Sequence, residues 1–352
     1  MGKAESFEAG TGNIRIRIEQ ANGNFEVLNR IRSGEPGDLI HLSESVFAPY
    51  LRQGHIIDLM PFLREDSRLS ADDFYKGALE GPSVDGKLAA LPVDMQVPLN
   101  FYRKRAFEEA GIAEPANDWT FGQFLETAAR LTNEKRYGFR LGIDLEWFEP
   151  FVKRSGGAYL SADGATAKGY ADSEATAEAL RRIVDWFRVH RIVPRSVEGG
   201  GFGETFAMAF DFSWCLPYVL RHHADEYGVV GLPRTAEGAD TNMVYMGGYG
   251  ISAACKHPEL AWLLLKELSA PETGGPLSLL PATKPIARRL RKTDHPVWGQ
   301  ALAELDKASK SAFYVSRKWN ANRQIFNQDL VRWIDEGADV KASLKRWAEL
   351  TG

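Results

Sequence analysis

Between residues 84 and 132 the hydrophobic period switches from two to 3.6, and that switch restricts the chain to folds in which sheets are layered with helices. Asp85-Gly86 is a turn signal flanked by short extended runs, and a helix begins near Lys104 and closes at Gly111. Pro115 and Asp118 lead into a second helix, with Thr120 or Asp118 as N-cap and Phe121, Phe124, Leu125, Ala128 and Leu131 on one face. The alternation holds elsewhere. Ile14, Ile16 and Ile18 alternate with Arg15 and Arg17, the pattern of a strand with one buried face. Phe25, Leu28 and Ile31 follow at helical spacing, and residues 33–37 stop that helix before the short apolar run 38–42. A helix over about 173–190 carries Ala177, Leu180, Ile183, Val184 and Phe187, and another is entered at His257-Pro258. The C-terminal region reads as helical from Ile325, Leu330, Trp333 and Ile334, then Val340, Leu344 and Trp347. The class is α/β.

At 352 residues the chain exceeds one ordinary domain, so two compact units are expected. A net charge of -4 with scattered Lys and Arg lacks the concentrated basic footprint of a nucleic-acid partner. Cys215 and Cys255 have no metal-ligand spacing and read as buried thiols; no metal and no cofactor are expected. No apolar run reaches membrane-spanning length, and the polar stretch after Met1 lacks the apolar core of a signal segment.

Four segments in order carry a resemblance. PVDMQVPLNFYRKRAFEEAGI (92–112) with DWTFGQFLETAARLT (118–132), GETFAMAFDFSW (203–214), GGYGISAACKHPELAWLLLKEL (247–268) and the helix from Trp319 to Leu330 together resemble the family 1 extracellular solute-binding proteins, the maltodextrin-binding-protein-like receptors of ABC importers. The resemblance implies a two-lobed periplasmic-binding-protein-like (type II) fold with a central ligand cleft and three hinge crossings. These would fall near 103–116, 243–250 and 295–312, with residues 1–105 plus 248–300 in one lobe and 110–245 plus 310–352 in the other. It also implies a non-enzymatic monomer that captures a mono- or oligosaccharide outside the cell or in the periplasm, lipid-anchored at full length, and passes it to ABC permease subunits. A non-sugar solute (polyamine, peptide or phosphorylated compound) is the alternative, and a sugar-acting enzyme a lesser one. One departure stands out: residues 3–20 resemble the end of the family's first helix and its second strand, so the first strand of the first lobe has no counterpart. A start placed downstream, a shortened chain or a substitute strand would each explain it. Residues 14–18 are expected to be the second strand.

Sugars present C–H faces that suit flat aromatic rings and hydroxyl edges that need planar donors and acceptors. Four aromatics interrupt core periodicity beside polar residues and are candidate ligand platforms: Trp147, Trp214, Tyr249 beside Gly248, and Trp319 in its Arg317–Asn322 setting. Glycines around Tyr249 would let ligand approach the backbone. Polar candidates are Ser43, Glu44 and Ser45 after a short strand, where open sheets bind ligand, and Asp94 and Gln96 near the first crossing. Several features are set aside. The glycines of 199–203 lack the Lys-Ser/Thr of a phosphate loop and read as a connector. His222-His223 reads as surface. Glu146 and Glu149 could serve glycosidase chemistry only if set across a sugar bond. The basic turn Tyr102–Arg105 is either a solvated face or a sign of an acidic ligand such as a uronate.

Overall fold

The computed structural model describes residues 7, 8, 10, 14–196, 203–236, 239–269 and 280–351; most of the glycine connector at 199–203 lies outside them. Ten strands are present among the described residues: β1 Leu39–Ser43, β2 Ser83–Val84, β3 Lys87–Leu88, β4 Leu91–Gln96, β5 Pro98–Arg103, β6 Tyr137–Arg140, β7 Phe206–Phe212, β8 Tyr227–Val230, β9 Asn242–Ile251 and β10 Ala308–Lys310. The chain divides into two compact units, Met1–Gln96 with Tyr245–Asp294 and Val97–Val244 with His295–Gly352. The passages between them fall after Gln96, Val244 and Asp294. The first lies upstream of the expected 103–116 because β5 pairs with β7 and β8 and so joins the second unit.

In the first unit β9 is paired antiparallel on both sides, by β1 and by β4. Ile40, Leu42, Met95 and Met246 are buried at alternate positions, and the other face carries His41, Ser43, Gln96, Tyr245 and Tyr249. Gly247 and Gly248 are explained by this close pairing. A Cβ on Gly247 would lie 2.9 Å from the His41 ring, and one on Gly248 would lie 2.7 Å from the Leu91 carbonyl oxygen. The expected strand at 14–18 is not formed. Residues 14–20 take no regular structure, Ile14 and Ile16 are only half-buried, and Ile18 is 80% exposed. Alternation by itself sets which face would be buried; without a ladder partner among the described residues it makes no strand.

The first unit's outer helices are tied by Asp66, whose carboxylate accepts from Lys266, from Trp262 Nε1 at 2.8 Å and from the Arg68 amide at 2.8 Å. Burial acts to raise the carboxyl pKa, but the Lys266, Arg68 and Trp262 hydrogen bonds outweigh it and hold Asp66 at about 2. The folded value lies below the unfolded one, so this contribution is complete above about pH 4 and is lost as pH falls toward 2. It is on the order of 2 kcal/mol. Denaturant titrations from pH 5 to 2 should show a steep loss of stability that Asp66→Asn flattens; equal slopes for both chains would remove Asp66 from the account.

In the second unit the sheet order is β6-β7-β5-β8, with β6 parallel to β7 and β5 antiparallel to both its neighbours. The helix Phe121–Leu131 opens with the Thr120/Gln123 capping box, and Glu174–Arg188 opens with the Ser173 hydroxyl accepting from the Thr176 amide. Their apolar faces meet around fully buried Trp186, whose ring centroid lies 4.9 Å from Phe124, 5.4 Å from Phe151 and 6.0 Å from Phe139. The C-terminal helices Arg323–Glu336 and Val340–Thr351 bring Trp333 and Trp347 together at 5.1 Å.

A buried ionic network binds this unit where the passages enter it. Arg154 and Glu304 are both 0% exposed and pair at 2.5 Å. Arg154 also donates to the Thr241 carbonyl at 2.7 Å and to the Leu232 carbonyl. The Asn242 amide donates to Glu304 at 2.7 Å and to the Pro98 carbonyl at 2.9 Å. One carboxylate thereby links the start of β5, the start of β9 and the helix Pro296–Asp306 that leads into β10.

Candidate functional site

Because β6 and β7 are parallel, their C-terminal ends lie at one edge of the second unit's sheet, the edge where open α/β sheets hold ligands. β6 ends at Arg140 and continues into the helix Leu145–Arg154; β7 ends at Phe212 and continues into the single turn Ser213–Cys215. Two predicted tryptophans lie here, each against Phe212. Trp214 is 49% exposed and stacks on Phe212 at 4.2 Å with 30° between planes. Trp147 is half-buried, with its ring centroid 5.9 Å from Phe212 and 5.6 Å from Phe210. Gly142 makes room for it, since a Cβ there would lie 2.8 Å from the Trp147 ring.

Charged groups lie on the same elements. Arg140 pairs with Asp211 at 3.4 Å, and Asp211 accepts from the Phe212 amide at 2.8 Å. Asp144 caps the helix Leu145–Arg154 by accepting from the Glu146 amide at 2.9 Å, and also receives Arg323 at 2.9 Å and Asn327 at 2.9 Å. Arg323 reaches Glu146 Oε2 at 2.5 Å and lies over the Phe313 ring. Burial raises the Glu146 carboxyl above the usual range, against the Tyr314 and Arg323 interactions that lower it. Glu146 Oε1 and Arg140 Nε are buried yet find no hydrogen-bond partner among the described residues. An unmet buried polar atom costs about 1–3 kcal/mol unless something external satisfies it.

The sequence-derived candidates divide. Trp147 and Trp214 share this edge. Trp319 does not: it is 0% exposed, stacked on Tyr159 at 5.2 Å and packed on Phe326 at 4.5 Å, so its ring has no face for a ligand. Its polar neighbours misled because the short helix Arg317–Ala321 turns Lys318 and Asn320 outward and Trp319 in. In the first unit, Ser43 ends β1 opposite Gly247, and its hydroxyl and that of Ser45 lie 2.9 Å apart with Asn24 donating to Ser43 at 2.9 Å. Glu44 opens the helix Glu44–Arg52. The Asp94 backbone pairs with Gly247 and Gln96 pairs with Tyr245, the glutamine being 9% exposed. Tyr249 is half-buried with its ring edge-on to His41 at 5.1 Å. Gly248 is filled in by the Leu91 carbonyl and serves strand packing, so the expectation of ligand approach there is corrected.

Other readings also change. Glu149 is enclosed, accepting from the Ser311 hydroxyl at 2.7 Å and the Ala312 amide at 2.8 Å, so it is a structural carboxylate. The basic turn carries ion pairs, Arg103 with Glu204 at 3.1 Å and Arg105 with Glu109 at 2.8 Å, as a solvated charged face does. Cys215 and Cys255 are half-buried free thiols rather than fully buried ones. Arg140, Asp144, Asp211 and Arg323 were missed. Asp144 had a local signal as an N-cap before an apolar run; the others are assembled by tertiary contacts alone.

The family model for bacterial extracellular solute-binding proteins matches residues 1–274, well over half of the chain, and the chain belongs to that family. It is 26% identical over 282 residues to an uncharacterized lipoprotein from the oleD 5′ region of Streptomyces antibioticus, covering 73% of this chain and 60% of that protein. The chain thus spans about 60% of the length of that curated relative. Among solved structures it resembles the sugar-binding protein MalE of Xanthomonas citri, with a TM-score of 0.87 and 16% identity over 99% of this chain and 95% of that one. It also resembles UgpB of Mycobacterium tuberculosis in complex with glycerophosphocholine, with a TM-score of 0.77 and 18% identity over 99% and 92% of the two chains. The fold is therefore the two-lobed solute-binding fold. Among the described residues no helix is long and apolar enough to cross a membrane.

Proposed function

We propose that this chain is a non-enzymatic carbohydrate receptor that holds a mono- or oligosaccharide at the sheet edge of its second unit and delivers it to an ABC permease. It works outside the cell or in the periplasm, held there by a lipid anchor. The carrying observation is the half-exposed Trp214 ring stacked on Phe212, at the end of the sheet where β6 ends at Arg140 and the helix Leu145–Arg154 begins. A sugar would lay its C–H face on the indole and turn its hydroxyls toward polar groups of that edge. The sugar-binding MalE neighbour supports the reading. The enclosure of Glu149 removes one half of a hydrolytic carboxyl pair and supports capture without turnover.

A second reading draws on the same residues. A zwitterion such as glycerophosphocholine could place its ammonium on Trp214 and its phosphate at Arg140. Native mass spectrometry of the protein purified without denaturation separates them. The expected adduct has the mass of a neutral saccharide; an adduct matching a phosphodiester and displaced by glycerophosphocholine would sink the carbohydrate assignment.

Glu146 gives a further expectation. Replacing it with glutamine should weaken sugar binding about tenfold or more, the worth of a charge-assisted hydrogen bond. Because Glu146 also pairs with Arg323, thermal unfolding of the same variant measures any structural share of its role. Calorimetry beside thermal unfolding checks this, and a large drop in melting temperature with unchanged affinity would make Glu146 structural.

A further inference from the structure

The helix Leu145–Arg154 begins at the sheet edge with its amino end already filled. The first amides of a helix lack intrahelical acceptors and carry partial positive charge, so an open amino end draws anions. Here two side chains take those amides. Asp144 Oδ1 accepts from the Glu146 amide at 2.9 Å, and Asn327 Oδ1 accepts from the Leu145 amide at 2.9 Å. Asn327 also donates to Asp144 Oδ2 at 2.9 Å, which fixes the carboxylate from the helix Arg323–Glu336. The guanidiniums of the edge are matched as well. Arg323 reaches Asp144 at 2.9 Å and Glu146 at 2.5 Å, and Arg140, at the end of β6, pairs with Asp211 at 3.4 Å. Asp144 and Arg323 keep 24% and 34% of their side chains exposed, so the pair is open to solvent rather than sealed in the core.

We propose that Asp144, held by Asn327, is a specificity-determining residue whose carboxylate occupies the place of an anionic ligand group and restricts this edge to uncharged saccharides. This rests on the carbohydrate reading above and narrows it, setting uronates and sugar phosphates aside. A serine would cap the helix as well, so capping alone gives no reason for a carboxylate clasped by an arginine and an asparagine. A ligand carboxylate or phosphate arriving at this end finds the amides and the Arg323 guanidinium taken and a fixed like charge beside them. Such a repulsive element is how a site rejects the wrong partner. A hydroxyl meets no such repulsion, since it can donate to the carboxylate oxygens.

The test is calorimetric titration of the natural chain, Asp144→Asn and Asp144→Ser with three kinds of probe. These are inorganic phosphate, neutral malto- and cello-oligosaccharides, and the pairs glucose with glucuronate and galactose with galacturonate. Both replacements are good helix caps, so the charge is removed while the helix start is kept, and thermal unfolding verifies the fold. The natural chain should favour the neutral member of any pair it binds. Both variants should bind phosphate about tenfold or more tightly than the natural chain does, and should shift preference toward the acidic sugars. Equal phosphate affinity in all three chains, or a natural chain that prefers the acidic member, would overturn the proposal while saccharide binding kept the carbohydrate reading standing. A gain of phosphate binding in both variants with no saccharide bound by any chain would uphold the charge filter and overturn the carbohydrate reading.

Discussion

Alanine at position 214 is expected to weaken carbohydrate binding about 30-fold or more and to cost only about 1 kcal/mol of stability. The asymmetry follows from where the ring sits. Half of Trp214 faces solvent and its main neighbour is a single stacked ring, Phe212 at 4.2 Å. Truncation therefore removes about one aromatic contact from the folded state. A ligand that covers the exposed face would make Trp214 a buried aromatic anchor, the kind of residue whose loss costs about 2 kcal/mol or more of binding. Trp319 supplies the contrast. It is fully buried among Tyr159, Phe326 and Trp347, so Trp319→Ala should cost about 3–5 kcal/mol of stability by leaving a cavity. Calorimetry and chemical denaturation of both variants decide the matter. If Trp214→Ala unfolded as readily as Trp319→Ala, or bound sugar undiminished, the platform would be misassigned.

The other large effect concerns Glu304. Glu304→Ala should destabilise the chain by about 3–5 kcal/mol, because it leaves the Arg154 guanidinium charged and enclosed without its 2.5 Å partner. It also frees the Asn242 amide that holds the Pro98 carbonyl, loosening the start of β5 and of β9 together. Replacing both ends with apolar residues, Arg154→Met with Glu304→Leu, should recover most of that loss, since a desolvated pair is often matched by apolar packing of similar volume. Denaturant midpoints for the single and double variants test this. A double variant as unstable as Glu304→Ala would show that the remaining partners, Asn242 and the Thr241 carbonyl, carry the network.

Much of the fold was legible because its signals are local. The helix 104–110 was bounded by Gly111, which takes a left-handed φ of 62°, and the helix from Phe121 by Thr120 and its capping box. The strand expected at 14–18 failed for the opposite reason. Alternating isoleucines state which face would be buried, but a strand exists only where a partner supplies the ladder, and that information is not in the segment. The same division runs through the site. Trp214 stood out because it ends an apolar run before Pro217, and Trp147 because glutamates flank it. Asp144 and Arg323 are 179 residues apart and meet only when the C-terminal helix docks, so nothing in either local sequence pairs them. Trp319 was misread because five residues of polar context outweighed one inward-pointing position in a short helix.

The central claim is that this chain captures a carbohydrate on Trp214. Its most direct test is a titration of intrinsic tryptophan fluorescence with malto-, cello- and xylo-oligosaccharides, run on the natural chain and on Trp214→Phe and Trp214→Ala. A saturable change with at least one series, weakened in Trp214→Phe and abolished in Trp214→Ala at the same concentrations, is the predicted result. No saturable change with any saccharide, or an undiminished binding curve in Trp214→Ala, would contradict it.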